Sequence, residues 1–220
     1  MNKIITWLHL SDLHFCNPKH GWDSNQILDD LINDLELMQK EYELCPDFIF
    51  FTGDIAYGQL GQGNRSIISQ FEEAGAFFDL LRTGLSPEVK KENFFIVPGN
   101  HDVNRDKVLR ATDVLIEEFN RRVDTGAANE VTQLIQQGNL DWQAIISRLS
   151  DYRTFLENSG YDHLLADKDR LIYSAIREIR GIKVGIMGLN SAWSSGHDGE
   201  KGRLWLGGRW QIQTLKSNIK

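Results

Sequence analysis

The chain has 220 residues, 41% apolar and 25% charged, with 24 basic against 31 acidic side chains and a formal charge of −7. That length suits one domain, or one domain carrying an insertion, with no sign of two cores, and the acidic balance argues against broad electrostatic capture of nucleic acid or anionic membrane. The two cysteines, Cys16 and Cys45, lack paired spacing and so suggest neither a disulfide framework nor a thiolate zinc site. No run approaches the roughly 18 consecutive apolar residues of a membrane span, and the N-terminal apolar stretch is too short for a signal peptide. The expectation is a soluble, cytoplasmic protein.

Residues 4–10 form an apolar, β-branched run that predicts a buried strand, ending at Ser11-Asp12-Leu13-His14. From Ser24 to Glu43, Ile27, Leu28, Leu31, Ile32, Leu35 and Met38 recur at helical spacing, with Asp23 or Ser24 available as N-cap. Phe48-Ile49-Phe50-Phe51 predicts a second strand, stopping at Thr52-Gly53-Asp54. A second helix follows, with Ile67, Phe71, Ala74, Phe78 and Leu81 on one face, and then a third strand, Phe94-Phe95-Ile96-Val97, leading through Pro98 into Gly99-Asn100-His101-Asp102. Two successive right-handed βαβ units place three parallel strands side by side, with their polar clusters along one rim.

Between about Arg105 and Asp162 the pattern is helical, punctuated by Gly126 and Gly138, and reads either as packing helices or as a substrate-shaping cap. Leu171–Ile179 and Ile182–Leu189 flank Arg180-Gly181 as a tight hairpin ending at Asn190-Ser191, and a last helix starts near Gly208 or Arg209. The tryptophans read mainly as packing residues, with Trp193 and Trp205 the best placed to approach a substrate.

The three rim clusters carry the chemistry. Carboxylate, imidazole and amide oxygens are ligands for divalent cations, and two such ions ~3.5–4 Å apart can clamp the attacking and leaving oxygens of a phosphoryl displacement. Asp54 is the natural bridging carboxylate. Asp12 and His14, alternating along an extended backbone, can face the first ion, and Asn100 offers a neutral oxygen to the second. His101 can protonate a leaving alkoxide, with Asp102 orienting and charging its imidazole. Arg105 is either a bidentate phosphate ligand or a surface arginine at a helix start. His9 is either a support for the ligands or a packed strand residue. Singly, each cluster is an ordinary turn; all three at the ends of consecutive strands are not.

Asp12-x-His14, Gly53-Asp54 and Gly99-Asn100-His101-Asp102, with flanking strings His9-Leu10-Ser11-Asp12 and Val97-Pro98-Gly99, resemble the first three blocks of the calcineurin-like metallophosphoesterases. The resemblance implies an α/β fold over residues 1–220, a two-sheet sandwich flanked by helices with its second sheet incomplete and a helical insertion at about 105–165. It also implies that Asp12, His14 and Asp54 bind the first metal, that Asp54 and Asn100 bind the second, and that His101 assists the leaving group. The opening string also resembles the repair-nuclease branch, and Asn190-Ser191 matches a later strand end less specifically. The family completes its site with an isolated histidine and a Gly-His-x-His block, and no His-x-His occurs here. After His101 only His163 and His197 remain, the first expected to be a surface or packing histidine and the second to sit on a solvated loop.

Two functions follow from this sequence. One is a metal-dependent phosphoesterase acting on phosphomono- or diesters through a water activated by two divalent ions, manganese first and iron, zinc or nickel as alternatives. Its substrate would be a nucleotide, cyclic nucleotide, nucleic acid or phosphoprotein. The other is an inactive sensor or assembly module of a larger protein. For the enzyme, a C-terminal extension or a dimer partner is one way to complete the site.

Overall fold

A computed structural model describes residues 4–15, 24–59, 66–122, 125–197, 204–207 and 209–219. Strands β1 (Trp7–Leu10), β2 (Phe48–Thr52) and β3 (Phe94–Val97) form a parallel sheet in the order β1-β2-β3. Leu8 lies opposite Ile49, and Ile49 opposite Phe94. Helices α1 (Ser24–Tyr42) and α2 (Ile67–Gly84) make the two crossovers, so the three C-terminal strand ends share one rim as expected.

Helix α2 starts where the Ser66 side chain accepts the Ser69 amide at 3.1 Å. All five residues of its predicted face are buried. Helix α1 covers the sheet more loosely. Leu28 is buried and Leu31, Ile32 and Leu35 are half-buried, but Met38 is exposed, lining an open groove with Ile5, Thr6 and Trp7. The suggested cap Asp23 and the cysteine Cys16 lie outside the described residues.

The helical region consists of α3 (Arg110–Arg122), α4 (Thr125–Gln137), α5 (Leu140–Ile146) and α6 (Ser150–Asn158), within the expected span. Helix α6 packs on α2, with Phe71 and Phe155 stacked at 5.2 Å. Strands β4 (Tyr173–Ile179) and β5 (Ile182–Gly188) then form a small antiparallel second sheet. Arg180 and Gly181 both take positive φ, 51° and 74°, the turn geometry whose twist matches that of a two-residue hairpin. Phe95 stacks on Phe50 at 5.6 Å and on Tyr173 at 6.1 Å, which joins the two sheets.

The buried apolar side chains fall into two clusters, where the sequence suggested a single core. One gathers the sheets with α2 and α6; the other gathers α3, α4, α5 and α7 (Trp210–Lys216), and Ile146 packs against both. The second exists because Trp142, Trp193 and Trp210 fill the space between those helices. Trp193 is fully buried, with Trp142 and Trp205 at 5.8 and 6.0 Å, so it packs instead of facing a substrate.

Past β5, the buried Asn190 is a structural tie. Its amide N–H donates to Gln211 Oε1 at 2.8 Å, its Nδ2 donates to the Arg170 carbonyl at 3.1 Å, and its Oδ1 accepts the Trp193 amide at 3.2 Å. No helix among the described residues is long and apolar enough to cross a membrane.

Candidate metal centre

The site is stitched together by main chain before any ligand is considered. Beyond the strand ends, the amides of Asp12, His14 and Phe15 donate to the carbonyls of Gly53, Asp54 and Ile55 at 3.0, 3.1 and 3.0 Å. Asp12, His14 and Asp54 take φ of 58°, 46° and 57°, three of the six positive-φ non-glycine positions among the described residues. Left-handed backbone is strained for most L-residues, though Asp and His tolerate it better than bulky types, and such strain persists where the surroundings enforce it. The segment carrying Asp12 and His14 is therefore not extended, as the alternation argument assumed; repeated left-handed turns bring the two side chains together. Gly53 sits at φ 102°, where a Cβ would lie 2.8 Å from the Gly99 Cα, and a Cβ on Gly99 would overlap the Asp54 carboxyl. Both glycines are needed for the loops after β2 and β3 to touch.

His14 Nε2 lies 3.8 Å from Asp12 Oδ1 and 4.0 Å from Asp54 Oδ2. These gaps are too long for hydrogen bonds. They fit ligands that share one cation, since metal–ligand distances of about 2.1 Å leave neighbouring ligand atoms roughly 3–4 Å apart. A ring nitrogen of His101 joins the group, all ligand atoms of His14, Asp54 and His101 falling within 4.8 Å of one another. Burial, and after it the nearby His101, lower the His14 pKa, with Asp54 and Asp12 opposing. The neutral, ligating imidazole is thereby favoured. Among the described residues its buried Nδ1 makes no well-formed hydrogen bond, and the Ala56 backbone opposes the burial effect only weakly. The donor set thus suits a divalent cation of borderline character.

His101 reaches this group because Asn100–Asp102 is a short 3-10 turn and not an extended segment. Its amide donates to Asp54 Oδ1 at 2.9 Å, which leaves Oδ2 towards His14. Its Nδ1 lies 2.8 Å from the Tyr57 carbonyl. A carbonyl oxygen only accepts, so Nδ1 carries a proton and Nε2 is left to accept or release one.

Asp102 takes a different place from the one expected. Its fully buried carboxylate accepts the amides of Asp54 at 3.0 Å, Ala56 at 2.9 Å and Gly99 at 2.8 Å, and the orientation of His101 falls to Tyr57. Burial pushes the Asp102 pKa up to about 7 against the three amides, which favour the ionised form. Sequence reasoning had no means of finding the Tyr57 carbonyl, a backbone atom. Its support did leave a signal: Gln70, the polar residue inside the buried stripe of α2, accepts the Tyr57 amide at 2.8 Å and donates to the Gly58 carbonyl at 2.9 Å.

Asn100 opens the His101 turn directly after Gly99, and Arg105 starts the next short 3-10 turn, half-buried. His9 is exposed and pairs with Thr52 Oγ1 at 2.7 Å. His163 packs, as expected, with Nε2 3.1 Å from the Phe94 carbonyl and its ring against Phe95. His197 Nε2 lies 3.6 Å from Glu117 Oε1 in the helical region. Neither belongs to the cluster formed by His14, Asp54 and His101.

The family model described as calcineurin-like phosphoesterase matches residues 5–200. The chain is also similar to an uncharacterized metallophosphoesterase-like protein, YydB, of Bacillus subtilis strain 168, at 31% identity over 102 residues. That stretch is 46% of this chain and 18% of the relative, so the chain matches only a small part of the relative's length.

Proposed function

Because this chain belongs to the calcineurin-like phosphoesterase family, we propose that it hydrolyses phosphomono- or diesters at the rim of its parallel sheet, with manganese as the preferred cation. The observation that carries this reading is the convergence of His14 Nε2 on Asp12 and Asp54 at 3.8 and 4.0 Å with His101 alongside. Asp12, His14 and Asp54 would hold one divalent cation, and Asp54 with Asn100 a second. Bound cations supply positive charge that polarises a phosphoryl oxygen and eases deprotonation of water.

The remaining work belongs to the chain's own residues. His101, with Nδ1 held on the Tyr57 carbonyl, presents Nε2 to the departing oxygen and delivers a proton to it. Asp102 keeps the Asp54 and Gly99 amides in register and so fixes the direction of the Asp54 carboxylate. Arg105 is proposed to contact a substrate phosphate. Nucleotides, cyclic nucleotides, nucleic-acid ends and phosphoproteins all fit this chemistry, and a cytoplasmic location is proposed with it.

A second reading is favoured by the positions of His163 and His197, which are engaged at Phe94 and Glu117. On this reading the chain binds a cation but turns over only when a further segment or a partner chain adds ligands. Hydrolysis of bis(p-nitrophenyl) phosphate with added manganese, run beside Asp54→Asn and His101→Ala, separates the two. Turnover that both substitutions reduce by at least tenfold supports the enzyme. Manganese binding lost in Asp54→Asn without any turnover supports the second reading, and no manganese binding at all refutes both.

A further inference from the structure

We propose that a cavity in the helical region, separate from the metal-ligand residues, binds a small organic phosphate such as a nucleotide. The cavity has a volume of about 380 Å³ and opens between α4, α5, the start of α6 and the segment preceding β4. Its floor is apolar, formed by Ile135, Leu149 and the edge of Trp142, and its wall carries Arg153, Lys168 and Arg170. Ligand pockets of small molecules have this size, and here polar and apolar groups share the lining about equally, so charged groups can fix a ligand's orientation while the apolar side chains pack against its body.

The charge balance gives the sign of the ligand. Three cations line the cavity against one carboxylate, Asp169, in a chain whose formal charge is −7. Arg170 is partly committed, since its Nη1 donates to Asp167 Oδ2 at 2.9 Å and its Nη2 to the Ile135 carbonyl at 3.3 Å. These bonds hold its guanidinium against the end of α4. Arg153 is half-buried and Lys168 exposed, and neither comes within 4.0 Å of a carboxylate among the described residues. Elsewhere in the chain arginines find carboxylates: Arg82 meets Asp79 at 2.8 Å and Arg122 meets Glu130 at 2.8 Å. Two cations without an ion pair among the described residues, beside an apolar floor, suit a ligand with a phosphate at one end and a flat or apolar body at the other.

The floor is rigidly set, which a recognition site requires. Trp142 Nε1 donates to the Asp169 carbonyl at 2.9 Å and Asn139 caps α5 through the Trp142 amide at 3.0 Å, so both walls are tied to one residue. No lining residue belongs to the metal centre. The inference therefore stands or falls apart from the catalytic reading.

Isothermal titration of the whole chain in EDTA, which removes metal-dependent phosphate binding, provides the test. The probes are AMP, adenosine and inorganic phosphate. AMP should bind more tightly than either half-ligand, and the affinity should fall as salt is raised. Arg153→Ala combined with Lys168→Ala should weaken AMP binding at least tenfold with the far-ultraviolet circular dichroism unchanged, while Lys216→Ala, a cation on α7 that does not line the cavity, should leave it unchanged. Wild-type affinity in the double variant, or no AMP binding by the wild-type chain, overturns the proposal. If inorganic phosphate binds as tightly as AMP, the apolar floor has no part in recognition and the organic-phosphate assignment fails.

Discussion

Replacing Gly99 by alanine separates steric packing at the candidate metal centre from backbone freedom. Gly99 lies at φ −101° and ψ −178°, extended backbone that alanine adopts without strain. The added methyl, however, meets the carboxyl of Asp54. It would lie 2.2 Å from Asp54 Oδ1 and 2.4 Å from the Asp54 amide nitrogen, against roughly 3.5 Å for ordinary contact, so the carboxyl and the loop that carries it must shift by about 1 Å. Metal sites tolerate deviations of about 0.2 Å in their ligand distances. Manganese affinity should therefore fall roughly 10–100-fold, the range seen when the groups that orient a ligand are lost. The overpacked loop should also cost about 1–3 kcal/mol of stability, on the order of 2–12 °C in Tm for a chain of this length.

Titration calorimetry with manganese and a thermal melt in EDTA measure the two quantities. Gly84→Ala is the control, because no atom lies within 4 Å of a Cβ placed there. An Gly99→Ala chain that binds manganese like the wild type would refute the inference that the Gly99 contact sets the position of Asp54.

Two further outcomes are expected. In EDTA, the native Asp102 carboxyl holds its proton up to about pH 7 while the unfolded one releases it near 3.9. The native state then binds more protons than the unfolded state across that window, so Asp102 lowers stability as pH rises from about 4 to about 7. Urea midpoints measured along that range should decline less steeply in Asp102→Asn than in the wild type, and parallel curves would contradict the assigned burial effect. Arg148 is fully buried, with Nε on the Ile145 carbonyl at 3.0 Å, Nη2 on Thr112 Oγ1 at 3.0 Å, Nη1 on the Ser195 carbonyl and Asp113 at 3.7 Å. Arg148→Met strands these partners and should destabilise the chain by about 3–5 kcal/mol in urea, and a loss below about 1 kcal/mol would show that the network relaxes without it.

Much of the fold was legible because it rests on periodicity. The four-residue aromatic runs of β2 and β3, the α2 stripe and the Arg180-Gly181 turn each carry a local signal, and each stands where it was expected. The candidate ligands Asp12, His14 and Asp54 stood out as polar residues at strand ends, although the strand before Asp12 is a half-exposed edge strand and not the buried one its apolar run suggested. The loop geometry was not. Nothing in the residue types at positions 12 and 14 distinguishes left-handed turns from extended chain, since φ there is imposed by the amide bonds to Gly53 and Asp54. Asp102 was misplaced for a related reason. Adjacency in sequence made it a partner for His101, whereas the 3-10 turn directs it to backbone amides some 46 and 48 positions away. The second apolar cluster escaped notice because tryptophans far apart in sequence, at 142, 193 and 210, meet only when the helical region folds back.

The stitching of the candidate ligand loops to one another through main-chain bonds would make a bound cation a gauge of strand register. Asp12, Asp54 and His101 come from segments more than 40 positions apart, and they meet only because Leu8 pairs with Ile49 and Ile49 with Phe94. A slip of one position in either pairing would turn every side chain of that strand to the opposite face and scatter the ligands. Long-range parallel pairing forms slowly compared with local helices, so a cation added during refolding would be captured late, after α1 and α2 have formed. The time course of manganese capture would then time the closing of the sheet itself.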